Sequence, residues 1–181
     1  MKNYIKKFIK DIIPVITGIL IALFINNWSE SAKEKRYLKK VFSSIDKELI
    51  ASKEDIVRKL PEQQKLIDTL DTYMNNNNVT LLNTLVKGGG IHVASIKLHA
   101  WKSIASTKID LIDYNKLTNF VSLEEEKEVL ELKGDKLMDF LFLNADDTSS
   151  EKKSFVKAIM IDIMYNERSL KEKLTKMIQD K

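Results

Sequence analysis

His92 and His99, with the carboxylate pairs Asp68/Asp71 and Asp110/Asp113, are the side chains of this 181-residue chain best suited to acid–base or metal chemistry. The histidines are seven residues apart and lack the His-Glu-x-x-His pairing that places two imidazoles on one helical face around zinc. They read as surface or packing residues. Asp110 and Asp113, in "KIDLIDY", fall on one helical turn, as do Asp68 and Asp71. Acid–base catalysis needs carboxylates held in deliberately different environments, which spacing does not reveal. Solvated carboxylates and helix caps are the expectation. Glu124-Glu125-Glu126 is expected in the first turn of a helix, where negative charge complements the dipole. Gly88-Gly89-Gly90 is followed by no Lys-Ser/Thr, and is read as a flexible joint rather than a phosphate loop. No Gly-x-Ser-x-Gly elbow, dinucleotide fingerprint or cysteine occurs. The chain is therefore expected to be no enzyme, with no catalytic, cofactor-binding or metal-binding residue and no cofactor.

The elements that carry these residues are dominated by one stretch, "IIPVITGILIALFINNW", residues 12–28. Residues 12–25 contain no charge, and Thr17 is their only polar side chain. Extending the helix from Phe8 to Trp28 gives a length of about 31 Å, enough for a hydrocarbon core of about 30 Å. Lys10 then snorkels at one membrane interface, while Asn26, Asn27 and Trp28 mark the other. Pro14 lies near the first turn of the apolar segment, where a missing N–H does least harm. A uniformly apolar core helix of a soluble protein would need protein on every side. A cleaved signal peptide is the other competitor: Lys2, Lys6 and Lys7 form an n-region, and Ser29-Glu30-Ser31 offers small residues for a cut. The bulky Asn-Asn-Trp approach to that cut favours an uncleaved anchor. Gly18, Ala22 and Asn26 share one line of the helix, a candidate association face for homo-oligomers through the span.

Charge supports the same reading. The net charge is +4, but residues 1–40 hold nine Lys/Arg against three Asp/Glu, and residues 41–181 hold 21 against 23. The basic excess flanks the apolar run, where it suits anionic lipid head groups. A nucleic-acid partner would call for a basic stripe on the folded domain, and none is expected.

The stretch "GILIALFINNWSESAKEKRYLKKV" resembles a family of uncharacterised small single-span membrane proteins of Gram-negative bacteria. Gly18 to Ala22 and Asn26 to Trp28 match its Gly-Ile-Leu-Ile-Ala run and Asn-Asn-Trp ending, and "WKSIASTKIDLIDYNKL" is a looser second match. Ser29 stands where the family has Asn before Glu30. The resemblance implies an inner-membrane protein with its C-terminal part in the periplasm. It implies no activity.

Beyond the span, Leu38, Phe42, Ile45, Leu49, Ile56 and Leu60 form an apolar stripe that Pro61 is expected to kink or break. Leu66, Ile67, Leu70 and Met74 carry a second stretch up to the Asn75–Asn78 tract, read as a loop. Ile96, Trp101 and Ile104 suggest a short helix. Capping boxes at Ser122/Glu125 and Thr148/Glu151 are expected to open two more, the first burying Val129, Leu130, Leu137 and Leu141. The second carries Phe155, Ile159, Ile163, Leu170 and Leu174 on its stripe. The expected fold class is all-α: an N-terminal transmembrane helix continuing into an amphipathic bundle of four to five helices. Its parts are an anchor over 1–28 (span 8–28), a juxtamembrane helix over 29–78, and the rest of the bundle over 79–181. The predicted function is a membrane-anchored interaction, sensory or accessory module whose partners are the lipid bilayer and an unidentified protein. The alternative is a membrane-tethered enzyme with an unrecognised site.

Overall fold

The computed structural model describes the backbone of residues 2–179 and their side chains except those of residues 2–7, 9 and 11. Lys2, Lys6, Lys7 and Asp11 thus fall outside the described side chains. The described chain is all-α: α1 (Lys2–Thr72), α2 (Leu81–Gly88), α3 (His99–Thr107), α4 (Tyr114–Asn144) and α5 (Ser150–Gln179), with one 3-10 turn at Ile109–Leu111. It divides into two compact units, Met1–Ser43 and Ser44–Lys181, with α1 contributing to each.

In the first unit, α1 is exposed on all sides over residues 13–28. It is the helix among the described residues that is long and apolar enough to cross a membrane, and none of its apolar window is buried by protein.

In the second unit, α1 buries Ile45, Leu49, Ile56, Leu66, Ile67 and Leu70. The helix does not break at Pro61 but runs on to Thr72. Proline removes one N–H, so the carbonyl of Val57, four residues earlier, loses its helical donor. Val57 and Pro61 are both exposed, which lets water take that place. Gln63, Leu66, Ile67 and Leu70 meanwhile hold the following turns in the core.

The helix α4 pairs with α5 as an antiparallel hairpin. Phe140 meets Phe155 near the turn with ring centroids 4.5 Å apart, Lys133 pairs with Asp162, and Lys173 reaches Glu126 and Ser122 toward the open end. The start of α4 lies well before the expected Ser122 box. Asp113 is its N-cap, accepting from the N–H groups of Asn115 and Lys116. Glu124–Glu126 consequently sit in the helix interior, where Glu124 pairs with Lys102 and Glu126 with Lys173 rather than complementing the dipole. Val129 turns outward, while Leu130, Leu137 and Leu141 are buried. At α5, Ser149 accepts from the N–H of Lys152, while the Thr148 carbonyl takes a bond from the Lys153 ammonium. The buried stripe is Val156, Met160, Ile163, Leu170 and Leu174, with Phe155 half-exposed beside it.

The Asn75–Asn78 tract is a turn region, as composition suggests. Gly88-Gly89-Gly90 is a helix stop. Gly89 and Gly90 have φ of 97° and 88°, and their N–H groups bond to the carbonyls of Val86 and Leu85. Positive φ is the conformation glycine tolerates at helix ends. Residues 91–98 then run extended, with Ala94, Ile96 and Leu98 buried and Ser95 and Lys97 exposed. Ile96 therefore belongs to this strap, and only Trp101 and Ile104 of the expected helical trio lie on α3.

Candidate functional site

Two arrangements stand out, one apolar and one polar. The apolar one is the α1 stretch of the first unit. Lys10, Asn26, Asn27 and Trp28, the expected interface residues, lie at its two ends, Trp28 being 70% exposed. Gly18, Ala22 and Asn26 are four apart on the same helix, and a Cβ built on Gly18 would meet nothing within 4 Å. Ordinary soluble monomers expose contiguous apolar patches of only a few hundred Å². Here Ile13, Val15, Ile16, Ile19, Leu20, Ile21, Leu23, Phe24 and Ile25 are all at least half exposed.

The polar arrangement is the anchoring of the strap. Its amides are matched not by strands but by side chains of α1 and α5. Asp55 accepts from Ser95 N–H at 2.8 Å, Ser52 Oγ from Lys97 N–H at 2.8 Å, and Glu48 from Ala100 N–H at 3.0 Å. Gln63 Nε2, further along α1, donates to the His92 carbonyl at 2.8 Å. The geometry has a simple origin. Alternate N–H groups of an extended chain recur about every 6.6 Å, and helical side chains three or four apart recur about every 4.5–6 Å. Ser52 and Asp55 therefore fall in step with one edge of the strap, and Glu48, one turn earlier on α1, meets Ala100 in the first turn of α3. The N–H of Ala94 points the opposite way and donates to Glu167 Oε1 of α5 at 2.7 Å.

Electrostatics divide these carboxyls. Burial pushes Asp55 upward, but the Ser95 N–H, the Arg58 guanidinium and the Lys59 charge outweigh it and hold the carboxyl below its ordinary range. Glu167 is fully buried, and burial raises it; the Ala94 N–H and Gln63 amide oppose that shift, while the Asp55 charge adds to it. Elsewhere, Lys102 holds Glu124 low against the effect of burial, helped by the Trp101 indole N–H and the charges of Lys102 and Lys127. Lys153 is fully buried, with its ammonium on the carbonyls of Asn76 and Thr148; desolvation lowers it and Asp147 partly offsets this. Each of these cations and anions ties one chain segment to another.

The residues with catalytic types are dispersed. His92 lies near the start of the strap and His99 opens α3 just beyond its end. His92 has both ring nitrogens engaged: Nε2 is 3.0 Å from the Gly89 carbonyl, and Nδ1 is 3.3 Å from both Lys59 Nζ and Glu62. Asp113 is a helix cap, whereas Asp110 lies exposed in the 3-10 turn. Asp68 accepts from Gln64, and Asp71 pairs with Lys157. Among the described residues no group of three His, Asp or Glu side chains is placed to hold a metal ion.

Sequence reasoning missed the strap and its anchors Glu48, Ser52, Asp55, Gln63 and Glu167. The signals were the period-two burial of Ala94, Ile96 and Leu98, and a polar line down α1 at three- and four-residue steps. No protein-family model, no curated protein and no solved structure matches the chain.

Proposed function

We propose that the protein is a single-pass protein of a bacterial inner membrane, anchored by α1 and carrying a helical interaction or accessory module in residues 44–181. The observation that carries this reading is the full exposure of residues 13–28. An all-round apolar helix is stable only when buried in protein or lipid, and the protein buries none of this one. Asn26, Asn27 and Trp28 close the apolar run with side chains that prefer the interface, and five Lys/Arg follow within residues 33–40. In this reading residues 44–181 lie on the periplasmic side, as the resemblance of the Gly18–Ala22 and Asn26–Trp28 motifs implies. The polar cross-links of the second unit support a binding scaffold, since they commit its charged side chains to holding segments in place.

The test is alkaline carbonate extraction of membranes that contain the full-length chain, followed by cross-linking and affinity capture from detergent extracts. The chain is expected to stay with the membrane pellet and to retain a cross-linked protein partner through residues 44–181. Release of the intact chain by carbonate would remove the anchor. Retention with no partner at any cross-linker length would remove the interaction module. Reporter fusions at the C-terminus decide the side: alkaline phosphatase activity is expected, and cytoplasmic reporter activity would reverse the orientation.

A further inference from the structure

Within the second unit, two buried side-chain atoms have no hydrogen-bond partner among the described residues: Gln63 Oε1 and Glu167 Oε2. Both are oxygens, and both residues are fully buried. Their side chains are neighbours: the Gln63 amide acts on the Glu167 carboxyl as a hydrogen-bond partner that opposes the rise due to burial. The orientation of Gln63 is fixed chemically. The His92 carbonyl can only accept, so the amide nitrogen must face it, at 2.8 Å, and the amide oxygen is left on the other side. Glu167 Oε1 is likewise occupied by the Ala94 N–H at 2.7 Å. Two buried acceptors without a donor each leave a desolvation cost uncompensated. One proton removes both deficits.

We infer that Glu167 is carried as the neutral acid, donating its Oε2–H to Gln63 Oε1, and that loss of this proton loosens the strap, making the pair a pH-sensitive clasp. The clasp is continuous: Ala94 N–H to Glu167, Glu167 O–H to Gln63, and Gln63 N–H to the His92 carbonyl, so one protonation closes both ends of residues 92–94. The charges around it favour the neutral form. Asp55 on α1 acts on Glu167 as a like charge, although Arg58 and Lys59 partly satisfy it. Glu62 and Lys59 of α1 meet the His92 ring of the strap. Toward α4, Val93 of the strap faces Gly134, and the neighbouring Lys133 is already paired with Asp162 of α5. Burial raises Glu167 above the ordinary glutamate range, in the direction the clasp requires. For a carboxyl raised in the folded state, the stabilising contribution is complete below the unfolded value and is lost as pH rises through the folded one. The strap is therefore pinned at low pH and released on the alkaline side.

The test uses the full-length chain in detergent micelles, labelled at glutamate Cδ for carbon NMR, with amide exchange followed at Ala94. One glutamate is expected to titrate above the ordinary range and to vanish from the spectrum of Glu167→Gln. Ala94 protection, corrected for intrinsic exchange, is expected to fall by up to about tenfold per pH unit between the ordinary glutamate range and that midpoint in the wild type, and to level off above it. In Glu167→Gln it should stay flat, because glutamine reproduces the neutral acid: its oxygen accepts from Ala94 and its amide donates to Gln63. A Glu167 midpoint at or below the ordinary range would overturn the clasp, as would an identical pH course of Ala94 protection in the two proteins. If Glu167→Gln does not fold, backbone assignment of Glu167 in the wild type gives the midpoint, which decides alone.

Discussion

The two stretches of α1 that lie in different units obey opposite rules. Over residues 13–28 the side chains, Thr17, Asn26 and Asn27 apart, are apolar and exposed on every face, and the backbone needs nothing beyond its own helical bonds. Over residues 45–70 one face is apolar and buried, while a second face carries Glu48, Ser52, Asp55 and Gln63 to satisfy the backbone of another segment. The first stretch carries a generic apolar surface suited to a fluid medium. The second carries position-specific contacts. Equal substitutions in the two should therefore fail in different ways.

The largest contrast comes from placing the same cation in each stretch. Ile56 is fully buried, so Ile56→Arg leaves an unpaired charge in the core and is expected to cost about 4 kcal/mol or more. Loss of the cooperative thermal transition of the detergent-solubilised chain would show it. Leu20→Arg, in the exposed stretch, should leave that transition within a degree or so of the wild type. Its cost falls on insertion instead, about 2.5–3.5 kcal/mol for Arg at the centre of a span. The readout is a shift of full-length chain from carbonate pellet to supernatant. If Leu20→Arg abolished the melting transition while leaving the chain in the pellet, the two rules would be one.

Prolines sharpen the same contrast at lower energy. Pro61 sits inside α1 with its freed carbonyl at exposed Val57, and an interior proline costs about 3 kcal/mol relative to alanine. Pro61→Ala restores the donor but frees the unfolded chain, which offsets about 0.4–1 kcal/mol. A net gain of about 2 kcal/mol is expected in denaturant unfolding. Pro14→Ala should leave the unfolding of residues 44–181 unchanged. A loss on Pro61→Ala would mean that the ring, rather than the flanking core residues, holds that turn.

How much of this could be read beforehand follows from the reach of each interaction. The apolar run, the Asn75–Asn78 turn and the all-α class depend on neighbours within a few residues, and the sequence reveals them directly. The start of α4 did not follow local rules. Ser122 and Glu125 satisfy the capping pattern, yet the helix begins at Tyr114 because Asp113 caps it and Phe120 stacks on Trp101 with centroids 4.6 Å apart. On α5 Ile163, Leu170 and Leu174 are buried as expected, but at the start Val156 and Met160 replace Phe155 and Ile159, because Phe155 meets Phe140 at the margin of the hairpin. The strap is the hardest case. Its anchors on α1 lie 29 to 52 residues away in sequence, and Glu167 lies 73 residues away. Nothing local announces which of the many acidic residues are buried acceptors.

Glycines offer the next comparison. A Cβ on Gly88 would come within 2.6 Å of Leu66 Cδ1 and 3.2 Å of Leu66 Cα, whereas one on Gly18 meets nothing within 4 Å. Gly88→Ala must push α2 from α1 and is expected to cost about 1–3 kcal/mol. Gly18→Ala should cost nothing and favour the helix by about 0.8–1 kcal/mol in intrinsic propensity. Gly18→Leu then tests the association face. Cross-linked dimers should disappear if Gly18, Ala22 and Asn26 form it, and dimers unchanged by leucine would exclude it.

The smallest effect is also the most local. Ser52 is fully buried; its hydroxyl donates to the Glu48 carbonyl at 2.7 Å and accepts from the Lys97 N–H at 2.8 Å. Ser52→Ala removes the acceptor without adding volume. Lys97 is exposed, so water can reach the orphaned N–H, and the expected cost is about 1 kcal/mol. Because α1 keeps its own ladder, the loss should appear as faster amide exchange at Lys97 with little change at Ile56 or Leu66. Equal acceleration at all three sites would mean that the strap and helix open together. Acceleration at Lys97 alone would make residues 91–98 a separately releasable segment, held by side chains where a strand would be held by a sheet.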